Sequence, residues 1–250
     1  MNSALSVTDL SLDIGGAKIL DGISLSVLTN ETLGIIGPNG AGKTSFFNLL
    51  SGIRKPSRGQ IFIGERDVTD MAPHERANAG IARTFQTSSV FGNLTCLENV
   101  RIAAQAANGK SMNLTKNAYK FTEVVAQAHE CLEKVGLGNY AMQRAGALSH
   151  GDKRRLEIAI VLASNSQIVL LDEPMAGMSV ENVPELVEII RSLATVHKKT
   201  VLIVEHHMEV ILGLADRIAV LNYGELLVCD TPQNVINNPI VQSAYIGEAL

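Results

Sequence analysis

The segment Gly37–Thr44 constrains this chain more than any other, because it has the form G-x-x-x-x-G-K-[ST]. The apolar run Leu33–Ile36 before it predicts a buried strand, and Lys43–Ser51 after it predicts a helix. Glycines lack a Cβ, so such a loop can wrap closely around a phosphate. Its backbone N–H groups and the positive end of the following helix bind oxyanions together. This segment, called the phosphate loop below, therefore predicts a nucleoside triphosphate site rather than an ordinary glycine-rich turn.

Individual residues of the phosphate loop are expected to make different contacts with the nucleotide and its metal ion. The Lys43 ammonium should reach the β- and γ-phosphates, and the Thr44 hydroxyl should ligate Mg²⁺. The other residues expected to hold the nucleoside triphosphate belong to the loop and the first helical turn: Asn39, Gly40, Ala41, Gly42 and Ser45.

Composition narrows the class of protein. The 250 residues are 46% hydrophobic, which is enough for a large single domain, and the net charge of −4 gives no support for nucleic-acid binding. The three cysteines are scattered, which favours a reducing compartment without disulfides or a metal site. We see neither a signal peptide nor an apolar run long enough to cross a bilayer. The sequence therefore predicts a soluble, cytosolic protein whose membrane role, if it has one, comes through a partner.

The order of elements predicts an α/β fold with an inserted helical part. Strand patterns at Leu5–Leu12 and Ile23–Leu28 precede the phosphate loop, and Ile168–Leu171 is typical of a central parallel strand. Between these parts, strand signals disappear and apolar residues recur at helical spacing. We expect one domain over 1–250, with a core formed by 1–86 and 165–250 and an all-helical subdomain over 87–164. The core should hold a mixed sheet and an N-terminal antiparallel part.

Two acids follow the strand Ile168–Leu171. Asp172, at the strand end, is placed to hold Mg²⁺ opposite Thr44. Glu173, directly after it, can polarise a water for in-line attack on the γ-phosphate. With a phosphate loop upstream, we favour this interpretation over a simple acidic loop.

A second anion site is predicted at Leu148–Leu156. Ser149 is a natural helix N-cap, and Gly151 leaves backbone N–H groups open at the helix start. The same pattern can be a plain capped helix. Two phosphate-binding elements on separate subdomains instead suggest a site that closes between two copies of the chain.

The combination and order of these elements resemble the ATPase subunits of ATP-binding cassette transporters. The resemblance adds Thr84-Phe85-Gln86 and Val204-Glu205-His206, and it spans roughly Leu5–Gly247. It implies a P-loop NTPase core in which Gln86 contacts Mg²⁺ and the attacking water and senses the membrane partner. It also implies that His206 contacts the γ-phosphate and aligns Glu173. By the same resemblance, Ser149 and Gly151 cap the γ-phosphate held by the opposite protomer.

The chain departs from the family pattern in three places. His150 and Asp152 replace Gly and Gln in the signature, and Ser179 stands where the family has aspartate. An acid near a γ-phosphate should weaken binding unless Lys153 or Arg154 compensates. The position of the aromatic that stacks on adenine in the family is occupied by an aliphatic residue, Ile14.

Further motifs resemble one branch of the family, the importers of branched-chain or hydrophobic amino acids. These motifs are Arg83–Gln86, Arg154–Ala159, Ala176–Met178 and Ala244–Glu248. Urea or amide importer ATPases share a similar Leu-Ser-His-Gly signature and Ala-Gly-Met turn, and exporter ATPases, for instance for lipopolysaccharide, share the ATPase motifs. All three assignments stay open at this point.

The resemblance implies an ATPase that acts as a head-to-tail dimer on the cytoplasmic face of the membrane, as a peripheral subunit. Its partners would be two permease subunits, a second ATPase that is identical or paralogous, and indirectly a solute-binding protein. A cassette ATPase of DNA repair or translation usually carries two cassettes or a long coiled-coil insert, and neither is evident here. A nucleotide kinase or GTPase would lack the Leu-Ser-x-Gly element.

Overall fold

The computed structural model describes residues 2–84, 89–108 and 122–245. The chain forms two compact units. The first unit comprises Met1–Ile81, Gln167–Glu173 and Leu193–Leu250, and the second comprises Ala82–Ser166 and Pro174–Ser192. The helical subdomain over 87–164 stays a prediction, and the second unit also takes in the segment that follows Glu173.

The strands belong to two sheets. In chain order the strands are β1 (Ser3–Ile14), β2 (Ala17–Leu28), β3 (Thr32–Ile36), β4 (Arg58–Ile63), β5 (Arg66–Asp67), β6 (Ile81–Arg83), β7 (Ile168–Asp172), β8 (Thr200–Val204), β9 (Arg217–Asn222) and β10 (Glu225–Asp230). The antiparallel sheet has the order β2-β1-β4-β5, and the mixed sheet has the order β10-β9-β3-β8-β7-β6. In the mixed sheet, β9, β3, β8 and β7 run parallel, and β10 pairs with β9 in the antiparallel direction.

The helices follow the strands in a partly alternating order. They are α1 (Lys43–Leu50), α2 (Pro73–Asn78), α3 (Cys96–Ala107), α4 (Thr122–Lys134), α5 (His150–Ala163), α6 (Val183–Thr195), α7 (Met208–Leu214), α8 (Pro232–Ile236) and α9 (Pro239–Tyr245). Short 3₁₀ turns lie at Gly138–Tyr140, Ala145–Ala147 and Val180–Asn182. In the described part of the chain, no helix is long and apolar enough to cross a membrane.

The core of the first unit holds the helix that follows the phosphate loop. Phe46, Phe47, Leu49 and Leu50 of α1 are fully buried, as their spacing predicts. They belong to one apolar cluster with residues of both sheets, for example Leu10 of the antiparallel sheet. The helix is therefore held from both sides, and the loop that precedes it has a fixed C-terminal anchor.

A buried arginine caps the C-terminal end of α1. The Arg76 guanidinium is 1% exposed and donates hydrogen bonds to the carbonyl oxygens of Leu49, Leu50, Thr69 and Met71. Carbonyls at a helix C-terminus lack partners within the helix, so a buried end requires outside donors. Burial lowers the pKa of the Arg76 guanidinium, and the negative charges of Asp70 and Asp67 oppose that shift.

We expect Arg76→Met to lower the free energy of unfolding by about 3 kcal/mol, because the buried carbonyl groups lose their donors. The matched control is Arg66→Met, at an exposed position of β5, which should change stability by less than about 0.5 kcal/mol. Urea denaturation of the two variants measures both values. A loss for Arg76→Met no larger than that of the control would contradict this assignment.

Candidate functional site

Three neighbouring parallel strands of the mixed sheet end beside each other at one edge. β3 lies between β9 and β8, and β7 lies on the other side of β8. The register pairs Ile35 with Val204 and Val204 with Asp172. Ligands of open α/β sheets bind at the carboxyl ends of such strands. This edge therefore brings together the phosphate loop after β3, the acids at the end of β7, and His206 after β8.

The shape of the phosphate loop depends on two glycines. Gly42 caps α1 in the left-handed region at φ 98°, and a Cβ there would lie 2.5 Å from Leu20 Cδ2. A Cβ on Gly37 would lie 2.1 Å from the Leu221 carbonyl oxygen. Any side chain at either position would displace the loop from β2 or β9. The glycines are thus required by close backbone packing as well as by turn geometry.

The Lys43 ammonium lies within the phosphate loop itself. Its Nζ donates to the carbonyl oxygens of Gly37 at 2.6 Å and Pro38 at 2.9 Å, and the residue is 7% exposed. A buried ammonium at the start of α1 adds its charge to the positive end of the helix. A triphosphate would engage this charge in a loop that already holds it in place.

Residues 39 and 40 form the open side of the loop. Asn39 and Gly40 are exposed, and a Cβ on Gly40 would meet no atom within 4 Å. Ala41 is buried and accepts a hydrogen bond from the Gly224 N–H, while Ser45 is half-buried in α1. A ligand can therefore approach the loop from the side of residues 39 and 40.

Oxygen donors for a divalent cation are present at this edge. Asp172 is 2% exposed at the end of β7, and Thr44 is exposed in the first turn of α1. A carboxylate and a hydroxyl are ligands that Mg²⁺ accepts, usually together with water and phosphate oxygens. The chemistry of this donor set fits the cation expected from the sequence. Gln86, the third expected ligand, lies outside the described residues.

Glu173 and His206 form a direct pair. His206 Nε2 lies 2.8 Å from Glu173 Oε1, with the imidazole N–H donating to the carboxylate. The Glu173 backbone has φ 47°, and its N–H donates to the Val204 carbonyl oxygen at 2.9 Å. A non-glycine residue in this region costs about 1 kcal/mol, and such strain tends to accumulate at functional sites. The strained turn and the imidazole together orient one carboxylate.

The position expected to face adenine offers an aliphatic surface. Ile14, the last residue of β1, is 39% exposed and pairs with Ala17 across the hairpin. It can make apolar contact with a base but has no π face for stacking.

In the second unit, the predicted N-cap is present. Ser149 caps α5, with its Oγ accepting from the Asp152 N–H at 3.1 Å, and Gly151 lies buried in the first turn. The Ser149 hydroxyl also donates to the Asp152 carboxylate at 2.6 Å. The helix N-terminus and the serine hydroxyl are the groups that an anion would use.

The cation that pairs with Asp152 is Arg155, whereas the sequence analysis considered Lys153 and Arg154 for this role. Asp152 pairs with Arg155 at 2.9 Å, whereas Arg154 is buried and pairs with Glu157 at 2.9 Å. Residues three apart lie on the same face of a helix, so the spacing of Asp152 and Arg155 was the signal that sequence reasoning missed. Arg155 also binds Glu185 at 2.7 Å. The Asp152 carboxylate therefore has a fixed cationic partner, which it shares with Glu185.

A family model described as ABC transporter matches residues 20–176. The chain belongs to the ATP-binding cassette (ABC) transporter family. This ABC transporter ATPase is 39% identical to the high-affinity branched-chain amino acid transport ATP-binding protein LivG of Salmonella typhimurium, over 98% of both chains. It is also 33% identical to the lipopolysaccharide export system ATP-binding protein LptB of Acidithiobacillus ferridurans, over 99% of this chain and 98% of that protein.

Solved structures of ABC transporter cassettes have the same fold. One cassette in its ADP conformation matches with a TM-score of 0.86 and 30% identity, over 99% of this chain and all of that one. A dimeric bacterial ABC transporter cassette matches with a TM-score of 0.78 and 25% identity, over 91% and 98% of the two chains. The predicted fold class, a P-loop NTPase core with an antiparallel β part and helices, is confirmed.

Proposed function

We propose that this ABC ATPase energises the import of branched-chain or other hydrophobic amino acids through separate permease subunits. The observation that carries this proposal is the similarity to LivG along 98% of both chains. Lipopolysaccharide export is the second candidate, because the LptB relative covers the chain as completely at 33% identity. Import of urea or an amide stays an alternative on the resemblance of the His150 signature and the Ala176–Met178 turn.

The first step is the binding of ATP by the phosphate loop. Lys43 and the loop N–H groups hold the triphosphate, which enters from the side of Asn39 and Gly40. Ile14 contacts the adenine. Thr44, Asp172 and Gln86 hold Mg²⁺. When bound, this cation neutralises charge on the β- and γ-phosphates.

Hydrolysis depends on the Glu173 carboxylate. Glu173 accepts a proton from the attacking water, and the His206 imidazole holds the carboxylate in position through the 2.8 Å hydrogen bond. The side chain of His206 is 45% exposed, so its imidazole remains accessible to a γ-phosphate. Binding and base catalysis thus use groups from the ends of three adjacent strands.

The remaining phosphate contacts come from a second ATPase subunit. Ser149 and Gly151 at the start of α5 are placed to receive the γ-phosphate bound by the opposite subunit, which gives a head-to-tail dimer with two ATP molecules. The Arg155 guanidinium beside Asp152 weakens the repulsion between that carboxylate and this phosphate. The partner is an identical chain or a close paralogue. A lone subunit should bind ATP but hydrolyse it poorly.

The second unit offers an apolar surface for the permeases. Phe91 is 59% exposed while its backbone is held from both directions by the buried Asn99, which accepts from the Phe91 N–H at 2.8 Å and donates to its carbonyl at 3.1 Å. Met142 is 75% exposed in the same unit. We propose that these two side chains contact the permeases. We expect the permeases to dock beside Gln86 and the helical subdomain, with the ATPase as a peripheral subunit on the cytoplasmic face of the membrane. A solute-binding protein would act on the ATPase only through the permeases.

A strain that lacks this gene should lose high-affinity uptake of radiolabelled leucine. A plasmid carrying the wild-type gene should restore it, whereas Glu173→Gln at equal expression should not, because transport requires hydrolysis. In the same strains, the uptake of labelled urea tests urea import, and the amount of lipopolysaccharide at the cell surface tests lipopolysaccharide export. Unchanged leucine uptake in the deletion strain would contradict amino acid import.

A further inference from the structure

His150, the residue that departs from the commonest signature, bonds to the turn that follows the catalytic acid. Its Nε2 lies 2.9 Å from the carbonyl oxygen of Ala176. A carbonyl oxygen only accepts, so Nε2 carries the proton in this contact. Both residues belong to the second unit. The signature is therefore tied to the Ala176–Met178 turn by a side-chain hydrogen bond.

The turn is shaped to receive this imidazole. Gly177 has φ 73°, and a Cβ there would lie 3.2 Å from His150 Nε2. A side chain at that position would strain the backbone and press on the ring. Next to it, a Cβ on Gly151 would lie 3.4 Å from Met178 Cε. The histidine in the signature and the Ala-Gly-Met turn thus form one fitted contact.

The structure assigns His150 the role of a positioning residue that couples the signature to the segment carrying Glu173. The Ala176–Met178 turn begins three residues after Glu173 in the chain, and Met175 between them is 1% exposed. A phosphate received at Ser149 and Gly151 therefore acts through His150 on the segment that directly follows the same subunit's base in the chain. This inference rests on the proposed head-to-tail site, in which the signature receives the partner's γ-phosphate.

A matched pair of substitutions isolates the hydrogen bond. His150→Gln keeps an N–H donor at the reach of Nε2, and His150→Met has a similar size without a donor. We expect His150→Met to lower the ATPase kcat about tenfold, the factor expected for one hydrogen bond, and His150→Gln to stay within about twofold of wild type. The affinity of a fluorescent ATP analogue for the monomer should be unchanged in both, because the phosphate loop belongs to the first unit. His129→Ala, an exposed histidine of α4, serves as the control.

A positioning role lowers kcat and leaves the affinity of the monomer for the ATP analogue unchanged. A general loss of structure would lower both quantities. Equal kcat values for the methionine and glutamine variants would overturn the role of His150. Glu173→Gln is measured in parallel: if it abolishes hydrolysis while His150→Met does not reduce kcat, only the coupling inference fails. If Glu173→Gln itself remains active, the proposed function of the site fails, irrespective of His150.

Discussion

Glu173→Gln should reduce ATP turnover at least hundredfold and should leave an ATP-bound dimer that persists during size-exclusion chromatography. The amide has the shape of the carboxylate, and its oxygen can still accept the hydrogen bond that His206 donates at 2.8 Å. It cannot take a proton from water, and the loss of a general base typically costs about 10²–10⁴ in rate. Binding and dimer closure should survive because the phosphate loop and the signature are untouched.

Phosphate release and elution volume in the presence of ATP and Mg²⁺ measure the two effects of this change. Glu225→Gln, at an exposed position of β10, is the matched control and should behave as wild type. Turnover near the wild-type rate in Glu173→Gln would show that the base has been assigned to the wrong carboxylate.

The fold was predictable where local patterns are strong. The predicted strand Ile168–Leu171 lies within β7, because a continuous apolar run bounded by turn residues leaves few alternatives. The two-residue strand Arg66–Asp67 was missed, since its only determinant is pairing with β4. Short elements that depend on a partner strand carry no periodic signal of their own.

The candidate site could be predicted where its residues are adjacent in the sequence. The phosphate loop and the acids after β7 are each contiguous, so their types and order suffice. The contacts between segments were not predictable: the bond from His150 to Ala176 and the positive φ of Glu173 arise only when distant segments pack. The spacing of three residues favours Arg155 as the partner of Asp152, whereas the burial of Arg154 beside Glu157 is visible only in the folded chain.

The second large effect concerns the sharing of each ATP site by two subunits. Lys43→Ala removes the ammonium inside the phosphate loop, so this variant should bind and hydrolyse ATP poorly. Gly151→Asp introduces an acid, a residue type that suits the first turn of a helix, so α5 should remain folded while the new charge repels a γ-phosphate at the signature. Each variant alone should therefore be nearly inactive, for different reasons.

Mixing these two inactive variants tests the shared site most directly. A mixed head-to-tail dimer has two different ATP sites. One site joins the Lys43→Ala phosphate loop to the Gly151→Asp signature and carries both defects. The other site joins an intact phosphate loop to an intact signature. An equal mixture should therefore recover about a quarter of wild-type hydrolysis, since about half of the dimers are mixed and each has one intact site. Hydrolysis that stays at the average of the two separate variants would show that each subunit builds its ATP site alone.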